Sequence, residues 1–448
     1  MTLDKNMLSE GDVNLDNRRE KWVKSHIPSE TRGILERDAA VFLHQSLSTP
    51  CLNVLESCSG STITDLSGKE ILDFHGNYIH NIGFSHPKVI EAVTKQMQTL
   101  SFSTRRYTNE PAVKLAEKLT SFTDSLNRVL FTPGGAEAIG IALKVARLVT
   151  GRHKTVSLWD SFHGATLEAS SIGGEAMFRK DMGPLLPGSE HAPPSNPSEC
   201  PFQCGNECNL NCAKYIDYIL EKEGDVAAVI GETIRSTPFI PPPDYWRTIR
   251  KACDRHGALL ILDEIPHALG RTGKIFTYKH YGIEPDMVVI GKGLGGGIFP
   301  FAAVLARESF NDAVKKHAIG HYTHEKNPVA CAAALAMINV IEQEGLIERV
   351  CSLEPYVLEI IQHLKNKHPI IHSVRNIGLM IGLELRNAET GEKATGEAVQ
   401  VMYHCIQYGL NFKLSMGSTI NLTPPMTVKK SELDRAFSII DKAISEVC

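Results

Sequence analysis

The sequence predicts an α/β protein in which helices cover both faces of a mainly parallel central sheet, with a smaller α+β domain beside it. From about residue 85 to 335, apolar runs alternate with amphipathic segments, a pattern typical of parallel strands joined by helices. Beyond about residue 335, helical segments and short strands indicate the smaller domain. We therefore expect residues 76–334 to form the large domain and residues 335–448 the small one, with residues 1–75 packing against the small domain.

Composition limits the classes of function. The 448 residues are enough for two domains with cores of their own, and a net charge of −4 does not favour nucleic acid as a partner. Apolar runs stay well below the length of a membrane span, so a membrane partner is not expected either. The first 29 residues are polar and lack the apolar stretch of a signal peptide, which favours the cytoplasm.

Several elements of the large domain follow from local patterns. One helix is expected to begin near Ser85, with Val89, Val93 and Met97 on one face, because Ser85 is a suitable cap and a proline follows in the first turn. Further helices are expected from about residue 135 and over about residues 244–256. The apolar runs predict six strands: Val129–Phe131, Thr155–Trp159, Ala227–Gly231, Ala258–Leu262, Met287–Ile290 and Phe301–Ala306.

Residues 190–212 depart from this alternation. The segment is rich in proline, asparagine and cysteine, which predicts an inserted loop. Four of its cysteines are spaced as C-x3-C, within the range that zinc sites use. Because no histidine and no C-x2-C pair accompany them, we predict reduced thiols and no bound metal. The four are Cys200, Cys204, Cys208 and Cys212.

Lys292 stands at the end of the apolar run Met287–Ile290 and is flanked by glycines. Desolvation favours a neutral amine, and a neutral amine can form a Schiff base. The alternatives are a strand cap or a nucleotide phosphate loop. The residues after Lys292 are Gly-Leu rather than Ser or Thr, which excludes the nucleoside-triphosphate loop pattern.

Asp263 and Glu232 also follow apolar runs. A buried carboxylate at Asp263 needs a cationic partner, and a protonated pyridine nitrogen meets that need. Together with Lys292, Asp263 therefore suggests pyridoxal 5'-phosphate as the cofactor. Ligands of open α/β sheets bind at the carboxyl ends of strands, where all three residues fall. Glu232 alone is also compatible with a solvated strand end.

Two further segments suit that cofactor. The glycines before Ala136, of which Gly135 is the second, let backbone N–H groups and a helix N-terminus approach a phosphate, although a tight turn has the same composition. Phe162 follows another apolar run and could stack on a pyridine ring, although an isolated phenylalanine is more commonly a core residue.

From about Gly60 to its C-terminus the chain resembles the class III aminotransferases, a branch of the fold-type I pyridoxal-phosphate enzymes. The resemblance rests on an ordered series of motifs. They are Asp65–Lys69 with Leu72–Phe74, Gly83–Pro87, the glycine turn at Gly134 and Gly135, Phe162–Gly164, Asp263–Glu264, Gly270–Gly273, Gly291–Gly293, and Thr323 with Asn327–Pro328.

The resemblance implies a role for each matching residue. Lys292 would carry the cofactor, Asp263 would pair with its pyridine nitrogen, and Phe162 would cover its ring. Gly135 and Ala136 would hold the phosphate. Thr323 would reach the phosphate in a neighbouring subunit, which implies a homodimer with active sites at the subunit interface.

Departures from the family pattern bear on the substrate. Many members have a glutamine three residues after the aspartate, whereas this chain has Pro266 there, followed by His267. Asn421 stands where many members have an arginine that binds a substrate carboxylate. A neutral amide cannot supply that bidentate charge pairing. These departures resemble lyase offshoots of the family that act on aminoethyl phosphates or phosphonates.

An anionic phosphonate would need cations. The candidates are Arg105, Arg106 and Arg235, each of which could instead be a surface residue. The predicted activity is ammonia elimination from a small hydroxy-amino phosphonate, with transamination as the alternative. A ligand sensor is a third possibility, but the chain lacks a basic helix-turn-helix extension and keeps its lysine.

Overall fold

The computed structural model describes residues 17–45, 47–204 and 208–448. Two compact units divide the chain. The central unit consists of Asn77–Ile82 and Pro87–Val350, and the terminal unit consists of the residues up to Gly76 together with Gly83–His86 and Cys351–Cys448. The division falls after Val350, not after residue 334 as the sequence suggested.

The described residues form thirteen α-helices and fifteen strands. The helices are α1 Arg18–His26, α2 Ser29–Val41, α3 Pro87–Thr99, α4 Glu110–Thr120, α5 Gly135–Thr150, α6 Leu167–Ile172, α7 Asn211–Glu223, α8 Tyr245–His256, α9 Asn311–Val314, α10 Pro328–Gln343, α11 Leu346–Lys367, α12 Thr395–Tyr408 and α13 Lys430–Val447. The strands are β1 Leu55–Ser59, β2 Thr62–Asp65, β3 Glu70–Asp73, β4 Arg128–Thr132, β5 Lys154–Leu158, β6 Ser189–Ala192, β7 Val226–Glu232, β8 Leu259–Asp263, β9 Met287–Ile290, β10 Ala302–Ala306, β11 Ile371–Ile377, β12 Met380–Leu385, β13 Leu410–Asn411, β14 Lys413–Ser415 and β15 Thr419–Leu422.

The central unit is built on a seven-stranded sheet in the order β4-β10-β9-β8-β7-β5-β6. Strands β9, β8, β7, β5 and β6 are parallel, whereas β10 runs antiparallel to both of its neighbours. Strands β7 and β9 are buried along their whole length, as expected for strands covered on both faces. All six predicted strands are present, and the predicted α/β fold class is confirmed.

Helix α5 packs on this sheet and contacts β4, β7, β8, β9 and β10. Its buried residues include Ala138, Ile141 and Val145, which contact apolar side chains of β7 to β10 in one continuous core. Gly151, in the left-handed region at φ 68°, ends the helix, as glycine does most readily. The helix therefore begins just after β4 ends, and its apolar side chains pack in the core between the helix and the sheet.

The terminal unit contains two four-stranded sheets, β1-β2-β3-β13 and β11-β12-β15-β14. In the second sheet, Asn421 of β15 lies opposite Gly382 and Lys413 on the two neighbouring strands. Asn421 is buried, and its Nδ2 lies 3.5 Å from Ser415 Oγ.

The segment 190–212 overlaps β6 at its start and α7 at its end, and its described residues between Ala192 and Asn211 form no strand or α-helix. Met97 follows Val89 and Val93 at helical spacing in α3, but it is exposed while the two valines are buried. Within the residues that the structure describes, no single helix is long and apolar enough to cross a membrane. One bent pair, α10 with α11, meets that test by length and composition only.

Candidate active site

Glu232, Asp263 and Lys292 lie at one edge of the central sheet. Strands β7, β8 and β9 are parallel neighbours, so their carboxyl ends point the same way. Glu232 and Asp263 are paired directly across β7 and β8, and Asp263 lies opposite Val289, three residues before Lys292. The structure thus brings together the three residues that the sequence placed at strand ends.

Asp263 is held in a buried hydrogen-bonded pair. Its Oδ2 lies 2.7 Å from Nδ1 of His163, and its Oδ1 accepts the backbone N–H of Ile265 at 3.0 Å. Both side chains are buried, with 2% of Asp263 and none of the His163 side chain exposed. Because a carboxylate only accepts hydrogen bonds, the proton of this pair lies on Nδ1 of His163. The sequence reasoning assigned no role to His163, although it follows Phe162 directly.

Lys292 leaves β9 in a left-handed backbone conformation, with φ 47°. Its Nζ lies 4.6 Å from the ring centroid of Tyr78. A Cβ at Gly293 would come within 2.8–2.9 Å of the Asn81 side chain and would displace an amide that is bonded to Ala268 and Arg271. The close approach of Asn81 explains part of the glycine-rich motif.

Glu232 fastens two loops to the sheet edge. Its Oε1 accepts the backbone N–H of Phe162 at 3.0 Å, and its Oε2 accepts the backbone N–H of Ser236 at 3.2 Å. Only 6% of Glu232 is exposed, so the alternative of a solvated strand end is wrong. The carboxylate sets the position of the loop that carries Phe162.

Phe162 is not a core residue. The residue is 39% exposed, and its ring rests at a tilt against Phe178, with 4.4 Å between the centroids. An aromatic face that is supported on one side and open on the other suits stacking on a flat ring.

The glycine turn provides a close-fitting backbone surface at the start of α5. A Cβ on Gly135 would lie 2.7 Å from Cδ1 of Ile265, and a Cβ on Gly164 would lie 2.5 Å from Cβ of Ala136. Gly164 also has φ +130°, which favours glycine. Ala136 lies in the first turn of α5, where backbone N–H groups lack partners within the helix and the helix dipole favours an anion.

Two buried ionisable groups adjoin Asp263. Burial raises the pKa of Glu264 to about 7, although its oxygens accept the backbone N–H groups of Thr277 and Tyr278 and the hydroxyl of Thr233. Burial lowers the pKa of His267 to about 3, so the ring is neutral. Nδ1 of His267 lies 3.0 Å from Thr277 Oγ1. Neither group was assigned a role from the sequence.

The three candidate arginines differ in their surroundings. Arg235 is nearly buried and lies 3.6 Å from Glu175 and 4.0 Å from Asp160, so two carboxylates already balance its charge. Arg105 is half-exposed and contacts His321 Nε2 at 2.6 Å and Glu325 at 3.7 Å.

Arg106 and Thr323 are both exposed on loops of the central unit. Among the described residues, Arg106 makes no ion pair or side-chain hydrogen bond. Thr323 lies in the loop before α10, within the same segment as the contacts of Arg105. Its expected contact with a neighbouring subunit stays a prediction.

The four cysteines of the segment 200–212 are not joined in disulfide bonds. Cys204 Sγ lies 3.1 Å from Asn209 Oδ1, and Cys212 is buried in the first turn of α7. In the described part of the chain, which lacks residues 205–207 of this segment, no group of three or more metal-binding side chains is arranged to hold a metal ion.

The residues at the sheet edge fit pyridoxal phosphate. The backbone surface at Gly135 and Ala136 suits its phosphate, and Phe162 offers a face for its ring. Asp263 offers a buried negative charge for the ring nitrogen, and Lys292 offers an amine for the aldehyde.

Comparison with known proteins gives a consistent result. The family model of the class III aminotransferases matches residues 44–444. The (R)-1-hydroxy-2-aminoethylphosphonate ammonia-lyase of Vibrio splendidus is 47% identical over 98% of this chain and 95% of its own length. An acetylornithine aminotransferase of Caldanaerobacter subterraneus is 32% identical over 87% of this chain and 93% of its own length.

The fold is shared with solved structures. An aminotransferase of Bacillus anthracis superposes with a TM-score of 0.86 at 28% identity, covering 93% of this chain and 98% of that one. The expected cofactor, pyridoxal phosphate, is confirmed by the family match.

Proposed function

Because the chain belongs to the class III aminotransferases, a family of pyridoxal-phosphate enzymes, we propose that it is an ammonia-lyase that acts on a small hydroxy-amino phosphonate. The proposed substrate is (R)-1-hydroxy-2-aminoethylphosphonate, and the products are phosphonoacetaldehyde and ammonia. The observation that carries this proposal is the 47% identity to the lyase from Vibrio splendidus over nearly the whole chain.

The residues at the sheet edge can perform the first step of this reaction. When bound, pyridoxal phosphate accepts the electron pair left behind as a proton leaves the carbon that bears the amine. Lys292 takes that proton on its neutral amine. Asp263 holds a negative charge against the pyridine nitrogen, and His163 keeps the carboxylate in place through the 2.7 Å contact.

In the next step the hydroxyl group is eliminated, and the product is then hydrolysed. The hydroxyl on the carbon next to phosphorus departs as water, taking the proton that Lys292 gained, and the amine-bearing product is released as an enamine. The enamine tautomerises to an imine, water adds to the imine carbon, and ammonia leaves to give the aldehyde. One water is lost and one is taken up, so the net products are the aldehyde and ammonia.

The lack of an arginine at position 421 supports a substrate other than a simple amino acid. Asn421 is a buried neutral amide in β15, which cannot form a bidentate charge pair with a carboxylate. A phosphonate carries more charge than a carboxylate, and Arg106 is the candidate whose charge is least balanced by its neighbours. We further propose that the enzyme is a homodimer in which Thr323 reaches the cofactor phosphate of the partner subunit.

Transamination remains the alternative, because an acetylornithine aminotransferase is 32% identical over most of the chain. The two activities share the removal of the proton and differ in the step after it. The test supplies the amino-hydroxyphosphonate and no keto acid. Sustained release of ammonia, many times the enzyme concentration, supports the lyase. A single turnover that leaves the cofactor in its amine form supports the transaminase and refutes the proposal.

A further inference from the structure

The ring of Tyr78 lies against the amine of Lys292. The Nζ atom lies 4.6 Å from the ring centroid, within the range over which an aromatic face attracts a cation. Tyr78 is only 3% exposed. Lys292 is partly buried, so the attraction is stronger than it would be between fully exposed groups.

Tyr78 has a backbone conformation that tyrosine disfavours. Asn77 and Tyr78 both have positive φ, at 46° and 64°. A bulky residue in the left-handed region is uncommon and persists only where its surroundings hold it. Asn77 belongs to the types that adopt this region more readily, so Tyr78 is the unusual residue of the two.

The hydroxyl of Tyr78 is bound at its far end. It donates a hydrogen bond to the backbone carbonyl of Ser236 at 2.9 Å, and the backbone N–H of the same Ser236 binds Glu232 at 3.2 Å. Glu232 also binds the backbone N–H of Phe162. The Glu232 carboxylate therefore holds both Ser236, which binds the Tyr78 hydroxyl, and the loop that carries Phe162.

We infer that Tyr78 is a positioning residue for Lys292, whose ring stabilises the positive charge that the lysine gains when it takes the substrate proton. In that step the carbon–hydrogen bond breaks, a nitrogen–hydrogen bond forms on Nζ, and the amine becomes an ammonium ion. The negative face of the ring favours the ammonium over the amine. This inference rests on Lys292 being the base of the proposed function, and it holds for elimination and transamination alike.

The hydroxyl itself is not the proton carrier. It already donates to the Ser236 carbonyl, and a donor engaged in this way cannot donate to Lys292 as well. The ring and the hydroxyl therefore have separate tasks. Tyr78→Phe keeps the ring and removes the anchor, whereas Tyr78→Leu removes both.

The experiment measures two quantities in the full-length protein. The first is the rate at which the holoenzyme exchanges the proton on the amine-bearing carbon of (R)-1-hydroxy-2-aminoethylphosphonate for deuterium from the solvent. The second is the pH dependence with which protein stripped of cofactor takes up pyridoxal phosphate covalently, measured by mass after borohydride reduction. Tyr281→Leu is the matched control, because Tyr281 is also buried and also donates to a backbone carbonyl, that of Pro241 at 3.2 Å.

The two quantities should move in opposite directions in Tyr78→Leu. Proton exchange should slow by about ten- to thirtyfold, because the ammonium is no longer stabilised. Covalent uptake should shift to lower pH, because the unreactive ammonium is no longer favoured. Tyr78→Phe should stay within about threefold of wild type in exchange, and Tyr281→Leu should leave the pH profile of uptake unchanged.

Three results would overturn the inference. The first is that Tyr78→Leu slows both covalent cofactor uptake and deuterium exchange. The second is that the pH profile of cofactor uptake does not shift in Tyr78→Leu. The third is that Tyr78→Phe and Tyr78→Leu lose the same factor in the rate of deuterium exchange. If Tyr78→Leu does not fold, Tyr78→Phe is made with ring-fluorinated phenylalanine, which keeps the shape and weakens the negative face. Unchanged exchange in the fluorinated protein would then refute the inference. A lyase test that fails while these shifts appear would refute only the proposed reaction.

Discussion

The edge of the central sheet and the loops that carry Arg105 and Arg106 differ in how their charges are balanced. At the edge, Asp263 is buried and its partners lie at 2.7 and 3.0 Å. On the loops, Arg105 is half-exposed and Arg106 is exposed. Buried charges must be matched by specific groups, whereas exposed charges are screened by water. Changes at the edge should therefore alter the chemistry, and changes on the loops should alter substrate binding.

The largest effect is expected at Lys292. Lys292→Ala removes both the group that links the cofactor and the base, so turnover should fall to background. Ammonia release with the purified variant measures this. Lys279→Ala is the control and should keep full activity, because the Lys279 side chain is exposed on the short helix Thr277–Tyr281 of the same unit. Appreciable turnover by Lys292→Ala would show that another lysine carries the cofactor.

The next effect concerns the Asp263–His163 pair. Asp263→Ala should retain some cofactor but slow proton removal at least about a hundredfold, because the ring nitrogen loses its charge partner. His163→Leu should slow it by about ten- to a hundredfold through loss of a hydrogen bond to a charged group. Deuterium exchange at the substrate carbon measures both.

His163→Asn is the matched variant for that pair, because its amide can donate where Nδ1 of His163 does. It should recover much of the rate that His163→Leu loses. Equal rates for the two His163 variants, or an unchanged rate in Asp263→Ala, would contradict the role of the pair.

Substrate recognition on the loops gives a smaller effect. Arg106→Gln should raise the Michaelis constant for the phosphonate by roughly ten- to a hundredfold, equivalent to about 1.5–3 kcal/mol, with little change in cofactor affinity. Arg105→Gln should disturb cofactor binding as well, because Arg105 contacts His321 and Glu325 in the loop of Thr323. If neither variant changes the kinetics, the head group is held elsewhere, and Arg235 is the next candidate.

Position 421 offers a gain of activity. Asn421→Arg should raise activity toward α- or ω-amino carboxylates, because a guanidinium pairs with a carboxylate, and should not improve the native reaction. Asn421→Gln, which keeps a neutral amide, is the control and should show no such gain. A faster phosphonate reaction in Asn421→Arg would mean that this position binds the phosphonate.

The smallest effect is on stability. The pKa of His267 is about 3 in the folded protein and 6.5 as the ordinary value, so the unfolded chain binds a proton that the folded one rejects. Folding stability from this residue is present above pH 6.5 and is lost as the pH falls toward about 3. His267→Gln should reduce the loss of melting temperature between pH 7 and pH 5. An identical loss in wild type and variant would contradict a neutral buried His267.

The same contrast explains what the sequence could and could not predict. Strands β7 to β9 are buried on both faces, so their apolar runs are continuous and the residues at their ends share one edge. Strand β6 was missed because Ser189–Ala192 carries no apolar run and pairs only at the sheet edge.

Contacts between residues that are far apart in the sequence could not be predicted from local sequence patterns. Arg235 is balanced by Glu175, sixty positions earlier, which no spacing rule connects. Tyr78 contacts Lys292 from a left-handed backbone conformation, which tyrosine disfavours and which local patterns do not predict. The pairing of His163 with Asp263 likewise spans a hundred positions.

The central claim is that the chemistry resides at the buried sheet edge and depends on Lys292. The most direct test reduces the holoenzyme with borohydride, digests it and locates the cofactor by peptide mass spectrometry. We expect the label on the peptide that contains Lys292, at close to one per chain. Label on a different lysine, or protein that retains the cofactor without any covalent label, would contradict the account.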